Sequence, residues 1–210
     1  VVDRVQGIKS GMHIEMPGVN DVNDSLIVEA VKSGELDEKV LDNIVRDILT
    51  IVLKADKLEK ENADQKIEEH HILAREVASE SITLLKNDNN ILPITKEKYK
   101  DIAVIGEFAV NPRYQGNGSS EVKPTKLDNV LEIIQDEYGN EFNIKYSRGY
   151  DLKDDNNLSY IDDATMKAKN SDIVLVFAGL PLHYESEGID RTHINMPKSH
   201  NRLIDELNKV

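Results

Sequence analysis

The fold of this chain is decided by the stretch Ile173-Val174-Leu175-Val176-Phe177-Ala178-Gly179, a continuous apolar run that follows a polar, helix-like segment. An uninterrupted apolar run of this length is typical of a buried strand in a parallel sheet. It leads into Glu185-Ser186-Glu187-Gly188-Ile189-Asp190-Arg191, which contains three carboxylates and an arginine. In α/β proteins, ligands bind where such strands end. Because 31% of the residues are charged, composition alone favours a solvated charged loop here.

Two further apolar runs in the second half of the chain alternate with helix-like segments. We predict strands at residues 102–106 and 142–146, and helices at 127–138, at 160–169 and around 203–210. Alternation of strand and helix is typical of a parallel sheet with right-handed crossovers. The predicted fold class is therefore α/β, with a mostly parallel sheet flanked by helices.

The first part of the chain is predicted to be mostly helical. Its predicted elements are helices at 3–10, from 24 or 25 to Gly34, and from Asp37 onward, with a short strand at 12–16. The almost wholly polar residues from 59 onward are the best linker candidate, and a helix is predicted at 67–80.

Composition restricts the partners of the chain. A net charge of −13 argues against nucleic acid and anionic membranes as partners. The absence of cysteine excludes a disulfide framework and a thiolate metal site. Neighbouring residues such as His70 and His71 point to different sides of a helix, so we predict no metal there. We expect no metal and no cofactor.

The ends of the chain suggest that it belongs to a longer protein. It starts with Val1-Val2-Asp3-Arg4, without a basic and then apolar leader, and it stops inside an amphipathic pattern. We therefore expect a cytoplasmic fragment. Truncation would leave open strand edges and apolar helix faces, so we also expect self-association into a homo-oligomer.

A glycine-containing loop follows the predicted strand at 102–106. Its segment Gly116-Asn117-Gly118-Ser119-Ser120 comes well after the strand, so the G-x-G-x-x-G turn of a dinucleotide site is missing. A plain surface loop is one alternative. The other is a loop that presents the hydroxyls of Ser119 and Ser120 to a polar ligand.

The serine loop and the carboxylate loop both follow strands of the same predicted parallel sheet, so they should meet at one edge. Hydroxyl groups beside carboxylates suit a sugar, and one carboxylic acid can protonate a glycosidic oxygen. This combination favours a functional site over a solvated loop.

The order of motifs resembles glycoside hydrolase family 3, of the β-glucosidase type. The matching segments, which span almost the whole chain, are Asp-Arg-Val at 3–5, Gly-Met-His-Ile-Glu-Met-Pro-Gly at 11–18, and residues 74–87, 102–106, 113–120 and 185–191. The resemblance implies a two-domain enzyme. Residues 1–58 would be the C-terminal remnant of a TIM-like barrel domain, 59–81 a linker and connecting helix, and 82–210 the first half of an α/β sandwich domain.

The resemblance also implies roles for particular residues. Glu187 corresponds to the acid/base, with Glu185 as its rival or as a substrate contact, and Ser119 with Ser120 corresponds to the serine that reaches toward the sugar. The nucleophilic Asp would lie before Val1, outside the chain, so the fragment alone should be inactive. An acid near neutral pH needs a raised pKa, for which Glu185 and Asp190 could supply negative charge.

The implied activity is retaining hydrolysis of β-linked glucosyl or related residues from the non-reducing ends of small-molecule glucosides or oligosaccharides. The alternative is a non-catalytic sugar-binding or scaffolding α/β module.

Overall fold

A computed structural model of the protein describes residues 3–16, 18, 24–57 and 66–210. The chain divides into two compact units, Val1–Gln65 and Lys66–Val210. Residues 59–65 of the predicted linker lie outside the described residues, and the boundaries predicted at 58 and 81 stay predictions. Within the described ranges, no helix is long and apolar enough to cross a membrane.

Among its described residues, the first unit has the helices α1 (Arg4–Lys9), α2 (Asp24–Ser33) and α3 (Glu38–Asp56). The side chains of Asp3 and Asp37 cap α1 and α3 by accepting hydrogen bonds from backbone N–H groups, as expected for N-cap aspartates. Its buried cluster consists of Ile8, Ala30, Leu36 and Ile44.

The strand predicted at 12–16 is wrong, because these residues have no strand conformation. Side-chain contacts hold the segment instead of a hydrogen-bonded ladder. Glu15 forms an ion pair with Arg4, and the imidazole of His13 lies 2.9 Å from the carboxylate of Asp47. Residues 12–16 alternate between apolar and polar side chains as a strand does, and this pattern led to the wrong prediction.

The second unit contains a three-stranded parallel sheet with the order β2-β1-β3, which confirms the predicted fold class. Its elements are α4 (Ile67–Ser81), β1 (Asp101–Ile105), α5 (Val130–Tyr138), β2 (Asn143–Ser147), α6 (Ile161–Lys169), β3 (Ile173–Val176) and α7 (Lys198–Leu207). The last residue of β1, Ile105, lies opposite Ser147 on β2 and Val176 on β3.

The start of α5 and the end of β3 are among the boundaries that differ from the sequence prediction. Helix α5 begins at Val130 instead of residue 127, because the side chain of Asn129 accepts a hydrogen bond from Glu132 N at 2.9 Å and caps the helix there. Strand β3 ends at Val176 instead of 179. It is also only partly buried, whereas the central strand β1 is almost wholly buried.

The central strand separates two apolar clusters. Ala103 and Ile105 pack on one face with residues of α6 and α7, whereas Ile102 and Val104 pack on the other face with Leu131 of α5. The helices therefore cover both faces of the sheet, which is the arrangement that an all-parallel sheet requires.

Tyr150, which follows β2, is fully buried beneath the ends of the strands. Its hydroxyl accepts a hydrogen bond from Phe108 N at 3.1 Å and donates one to Phe177 O. The ring of His200, also fully buried, lies 3.7 Å from the Tyr150 ring between centroids. Burial raises the pKa of Tyr150, so the hydroxyl stays protonated and keeps its donor.

His200 connects α7 to the chain after β3. Its Nδ1 accepts a hydrogen bond from Gly179 N at 3.4 Å, which requires that this nitrogen carries no proton. Burial lowers the pKa of His200 to about 4. The imidazole is therefore neutral above that pH in the folded protein.

We predict that this histidine makes the second unit less stable in mild acid. Its folded pKa of about 4 lies below the ordinary value of 6.5, so the unfolded chain binds the extra proton first. Above about pH 6.5 the protonation of this histidine does not lower the free energy of unfolding. Between about pH 6.5 and pH 4 the free energy of unfolding falls by at most about 1.4 kcal/mol per pH unit.

Urea unfolding followed by tyrosine fluorescence tests this, because all seven tyrosines lie in the second unit. His200→Gln should reduce the loss of unfolding free energy between these pH values, since the glutamine oxygen can still accept from Gly179 N. His193→Gln, at an exposed position, is the matched control. Equal pH dependence in wild type and His200→Gln would contradict the prediction.

Candidate active site

The serine loop and the carboxylate loop meet at one edge of the sheet, as predicted. Ser119 N donates to one carboxylate oxygen of Glu187 at 2.6 Å, and Ser119 Oγ donates to the other at 2.9 Å. Ser119 lies on the loop after β1 and Glu187 on the loop after β3. The parallel pairing of neighbouring strands thus joins residues that are far apart in sequence.

Two glycines permit this close approach. Gly118 has φ +87, and a Cβ there would overlap the carboxylate of Glu187, so a larger residue would push the glutamate away. Glu187 itself lies in a tight turn closed by Ile189 N donating to Ser186 O at 3.1 Å. Gly188 adopts φ +79 in that turn, a conformation that is costly for other residues.

Gln115 closes the serine loop on itself. Its amide nitrogen donates to Val122 O at 2.8 Å, and its amide oxygen accepts from Val122 N at 3.0 Å. Both ends of the side chain are therefore bonded to the backbone of one residue across the loop. This pairing fixes the path of the residues between them, which include Ser119.

The other predicted site residues are placed differently. Ser120 is the last residue of the 3-10 turn Gly118–Ser120, and both hydrogen bonds to Glu187 described above come from Ser119. The carboxylate of Glu185 lies 3.8 Å from Arg113 Nη1 and is more than half exposed. The two candidate glutamates therefore have different partners.

The electrostatics of Glu187 differ from our expectation of a raised pKa. The backbone N–H of Ser119, and then its hydroxyl, lower the pKa of Glu187, because hydrogen bonds to the charged form favour it. The glutamate is exposed to solvent, so burial offsets this little. In this unit Glu187 is thus held as a carboxylate, the form that accepts a proton.

A cavity of about 490 Å³ lies beside this site. The loops after all three strands line it, with Phe108, Tyr114, Leu152 and Leu182 among the apolar residues. Its volume lies in the range of small-molecule sites. Neither Ser119 nor Glu187 belongs to its lining, so any chemistry at Glu187 would take place outside it.

No metal centre accompanies the site within the described residues, where no group of three or more His, Asp or Glu could hold an ion. The imidazole of His71 lies 3.1 Å from the Asp128 carboxylate, so it forms an ion pair when it is protonated.

Sequence reasoning gave no role to Arg113 and Tyr150, although both fix the loops of the site. Arg113 lies in a quoted motif, but its partners are backbone oxygens of the other loop, which no side-chain pattern encodes. For Tyr150 the only signal is an aromatic residue directly after the Arg148-Gly149 pair that follows β2.

We predict that Ser119→Ala raises the pKa of Glu187, because it removes one of the two donors that favour the carboxylate. The measurement is a ¹³C NMR titration of the Glu187 side-chain carboxyl in the chain, assigned by its disappearance in Glu187→Gln. Ser120→Ala, at the next residue, should leave this pKa where it is. An unchanged pKa in Ser119→Ala would contradict the described geometry.

Comparison with known proteins places this chain in a family. Residues 82–210 match the C-terminal domain of glycosyl hydrolase family 3. The whole chain is 46% identical to thermostable beta-glucosidase B of Acetivibrio thermocellus, of which it covers 28%. Over 98% of its length it is 35% identical to the exo-alpha-(1->6)-L-arabinopyranosidase of Bifidobacterium breve, of which it also covers 28%.

A solved structure agrees with these sequence relatives. The GH3 beta-glucosidase of Bifidobacterium adolescentis superimposes on the whole chain with a TM-score of 0.70 and 33% identity, and the chain covers 30% of that protein. The chain therefore spans less than a third of the length of each of these proteins. It belongs to glycoside hydrolase family 3.

Proposed function

We propose that this chain is the acid/base-bearing part of a retaining glycoside hydrolase that removes β-linked glucosyl or related residues from glycosides. The observation that carries the proposal is the carboxylate of Glu187, which Ser119 holds with two hydrogen bonds at the carboxyl edge of the parallel sheet. Membership of family 3 and 46% identity to a beta-glucosidase support the reaction class.

In the proposed mechanism, an aspartate outside the chain attacks the anomeric carbon while Glu187 protonates the departing oxygen. Glu187 then removes a proton from the water that hydrolyses the glycosyl enzyme. Retention requires the two carboxyl groups to lie about 5–5.5 Å apart. The nucleophile would belong to a part of the full-length protein outside this chain, which covers 28% of the length of its beta-glucosidase relative.

The two steps need opposite charge states of Glu187. The hydrogen bonds from Ser119 favour the carboxylate, which is the base of the second step. In the first step a second carboxylate brought close to Glu187 would raise its pKa, because like charges disfavour double ionisation. Formation of the glycosyl ester removes that charge, so Glu187 returns to its base form when the water must be activated.

The sugar preference is proposed from the relatives and tested by a substrate panel. One of the two relatives is named as a β-glucosidase and the other as an arabinopyranosidase. We therefore propose a β-glucoside as the preferred substrate. Hydrolysis rates of aryl β-glucoside, aryl β-xyloside and aryl α-L-arabinopyranoside by the full-length protein compare these sugars directly.

We predict that Glu187→Gln in the full-length protein lowers kcat for an alkyl β-glucoside roughly 10²- to 10⁴-fold, the usual contribution of a general acid or base. Glu185→Gln is the matched control and should keep most of the activity, because the hydrogen bonds between the loops use the backbone oxygen of Glu185. The reverse outcome would assign the role to Glu185.

Azide provides an independent readout of the same assignment. In Glu187→Ala the glycosyl enzyme lacks its base, and azide, a nucleophile that needs no base, should attack it to give β-glucosyl azide. Formation of the α-anomer would contradict a retaining mechanism. If azide neither restores the rate of Glu187→Ala nor gives a glucosyl azide, the assignment of Glu187 as the base is contradicted.

We also predict that the 210-residue chain alone does not hydrolyse aryl β-glucosides, since the proposed nucleophile is not part of it. The assay compares the purified chain with the full-length protein at equal concentration, with Glu187→Gln chain as the background control. Turnover by the wild-type chain above that background would place the nucleophile within these residues.

A further inference from the structure

We propose that Arg113 is a positioning residue that fixes the loop carrying Glu187. Its guanidinium donates from Nη1 to Leu180 O at 2.7 Å and from Nη2 to Glu185 O at 2.8 Å. Arg113 lies on the loop after β1, and both acceptors lie on the loop after β3. The proposal rests on the proposed role of Glu187 in the reaction.

The positions of the two acceptors explain why one side chain is sufficient. Leu180 lies four residues after the end of β3, and Glu185 lies two residues before Glu187. Bonding both carbonyl oxygens to one rigid group fixes the segment between them at its two ends. Only Ser186 lies between Glu185, whose backbone oxygen Arg113 holds, and Glu187.

The chemistry of the side chain suits this task. A guanidinium is planar and presents its N–H donors in a fixed fork, whereas an ammonium is a compact charge on a flexible stem. The side chain of Arg113 is only 22% exposed, so its two short hydrogen bonds compete little with water. The Glu185 carboxylate at 3.8 Å balances its charge.

Arg113 and Ser119 together attach the two loops to each other. Ser119, on the same loop as Arg113, holds the Glu187 carboxylate, and Gln115 closes the segment that contains Ser119 by bonding Val122. If the backbone near Glu185 is released, the carboxylate loses the alignment that makes both Ser119 bonds possible. Arg113 thus acts on Glu187 through the backbone of the loop after β3.

The first experiment measures position directly and does not depend on catalysis. In the 210-residue chain, Arg113→Met should raise the pKa of the Glu187 carboxyl, because the hydrogen bonds from Ser119 weaken. A ¹³C NMR titration of this carboxyl measures the pKa. Arg113→Lys keeps the charge but not the fork and should shift this pKa in the same direction by less. Arg202→Met, at a mostly exposed arginine of α7, is the matched control.

The second experiment uses the full-length protein and two β-glucosides. Hydrolysis of a dinitrophenyl glucoside needs no acid in the first step, whereas hydrolysis of a methyl glucoside does. Arg113→Lys and Arg113→Met should lower kcat/KM for the methyl glucoside by roughly 10²-fold, as expected for a misplaced catalytic group, and change it little for the dinitrophenyl glucoside. Glu187→Gln gives the reference pattern.

The outcomes separate this proposal from the proposed function. A raised Glu187 pKa with a selective loss on the methyl glucoside supports both. A raised pKa without leaving-group selectivity in Glu187→Gln keeps the positioning role and refutes the acid role. An unchanged Glu187 pKa in both Arg113 variants overturns the positioning role, and so does an equal loss on both substrates when Glu187→Gln itself is selective for the methyl glucoside. If Arg113→Met does not fold, Arg113→Lys carries the same comparisons.

Discussion

The geometry of the site depends on the hydroxyl of Tyr150. It bonds Phe108, where the chain leaves β1, to Phe177, where the chain leaves β3. A buried hydroxyl with no partner would be costly, so the tyrosine can be buried here only if both strand ends keep this spacing. The loops that carry Ser119 and Glu187 start immediately beyond these two residues. This one buried hydroxyl thus fixes the distance between the points where the serine loop and the carboxylate loop begin.

The strand order explains why the loops diverge and leave room for a ligand. After β1 the chain continues to α5, which packs on one face of the sheet, whereas after β3 it continues to α7 on the other face. The two connections therefore leave the sheet in opposite directions. Such a switch point creates a crevice at the carboxyl ends of the strands, where α/β proteins bind ligands. The cavity beside Arg113 and the Ser119–Glu187 pair both lie among these loops.

Much of the fold could be predicted from the sequence, because apolar runs and cap residues are local signals. The parallel sheet, the helix after Asp37 and the meeting of the two loops follow from such signals. The strand at 12–16 did not form, since the contacts of Glu15 with Arg4 and of His13 with Asp47 hold that segment. The role of Arg113 was hidden because its acceptors are carbonyl oxygens, and every residue has one. Sequence patterns show which side chains exist but not which backbone groups they reach.

The lowered pKa of Glu187 follows from the way the glutamate is positioned. Holding a carboxylate by N–H and O–H donors necessarily favours its charged form, so accurate placement and an acidic proton oppose each other in this unit. The donors cannot be removed without losing the placement, since the same bonds from Ser119 provide both. For the proposed acid step, the opposing effect must therefore come from outside these loops, as desolvation of Glu187 or as a negative charge that approaches it. In the proposed mechanism a nucleophilic carboxylate would provide this charge until it is esterified, which would couple the protonation of Glu187 to the step of the reaction that needs it.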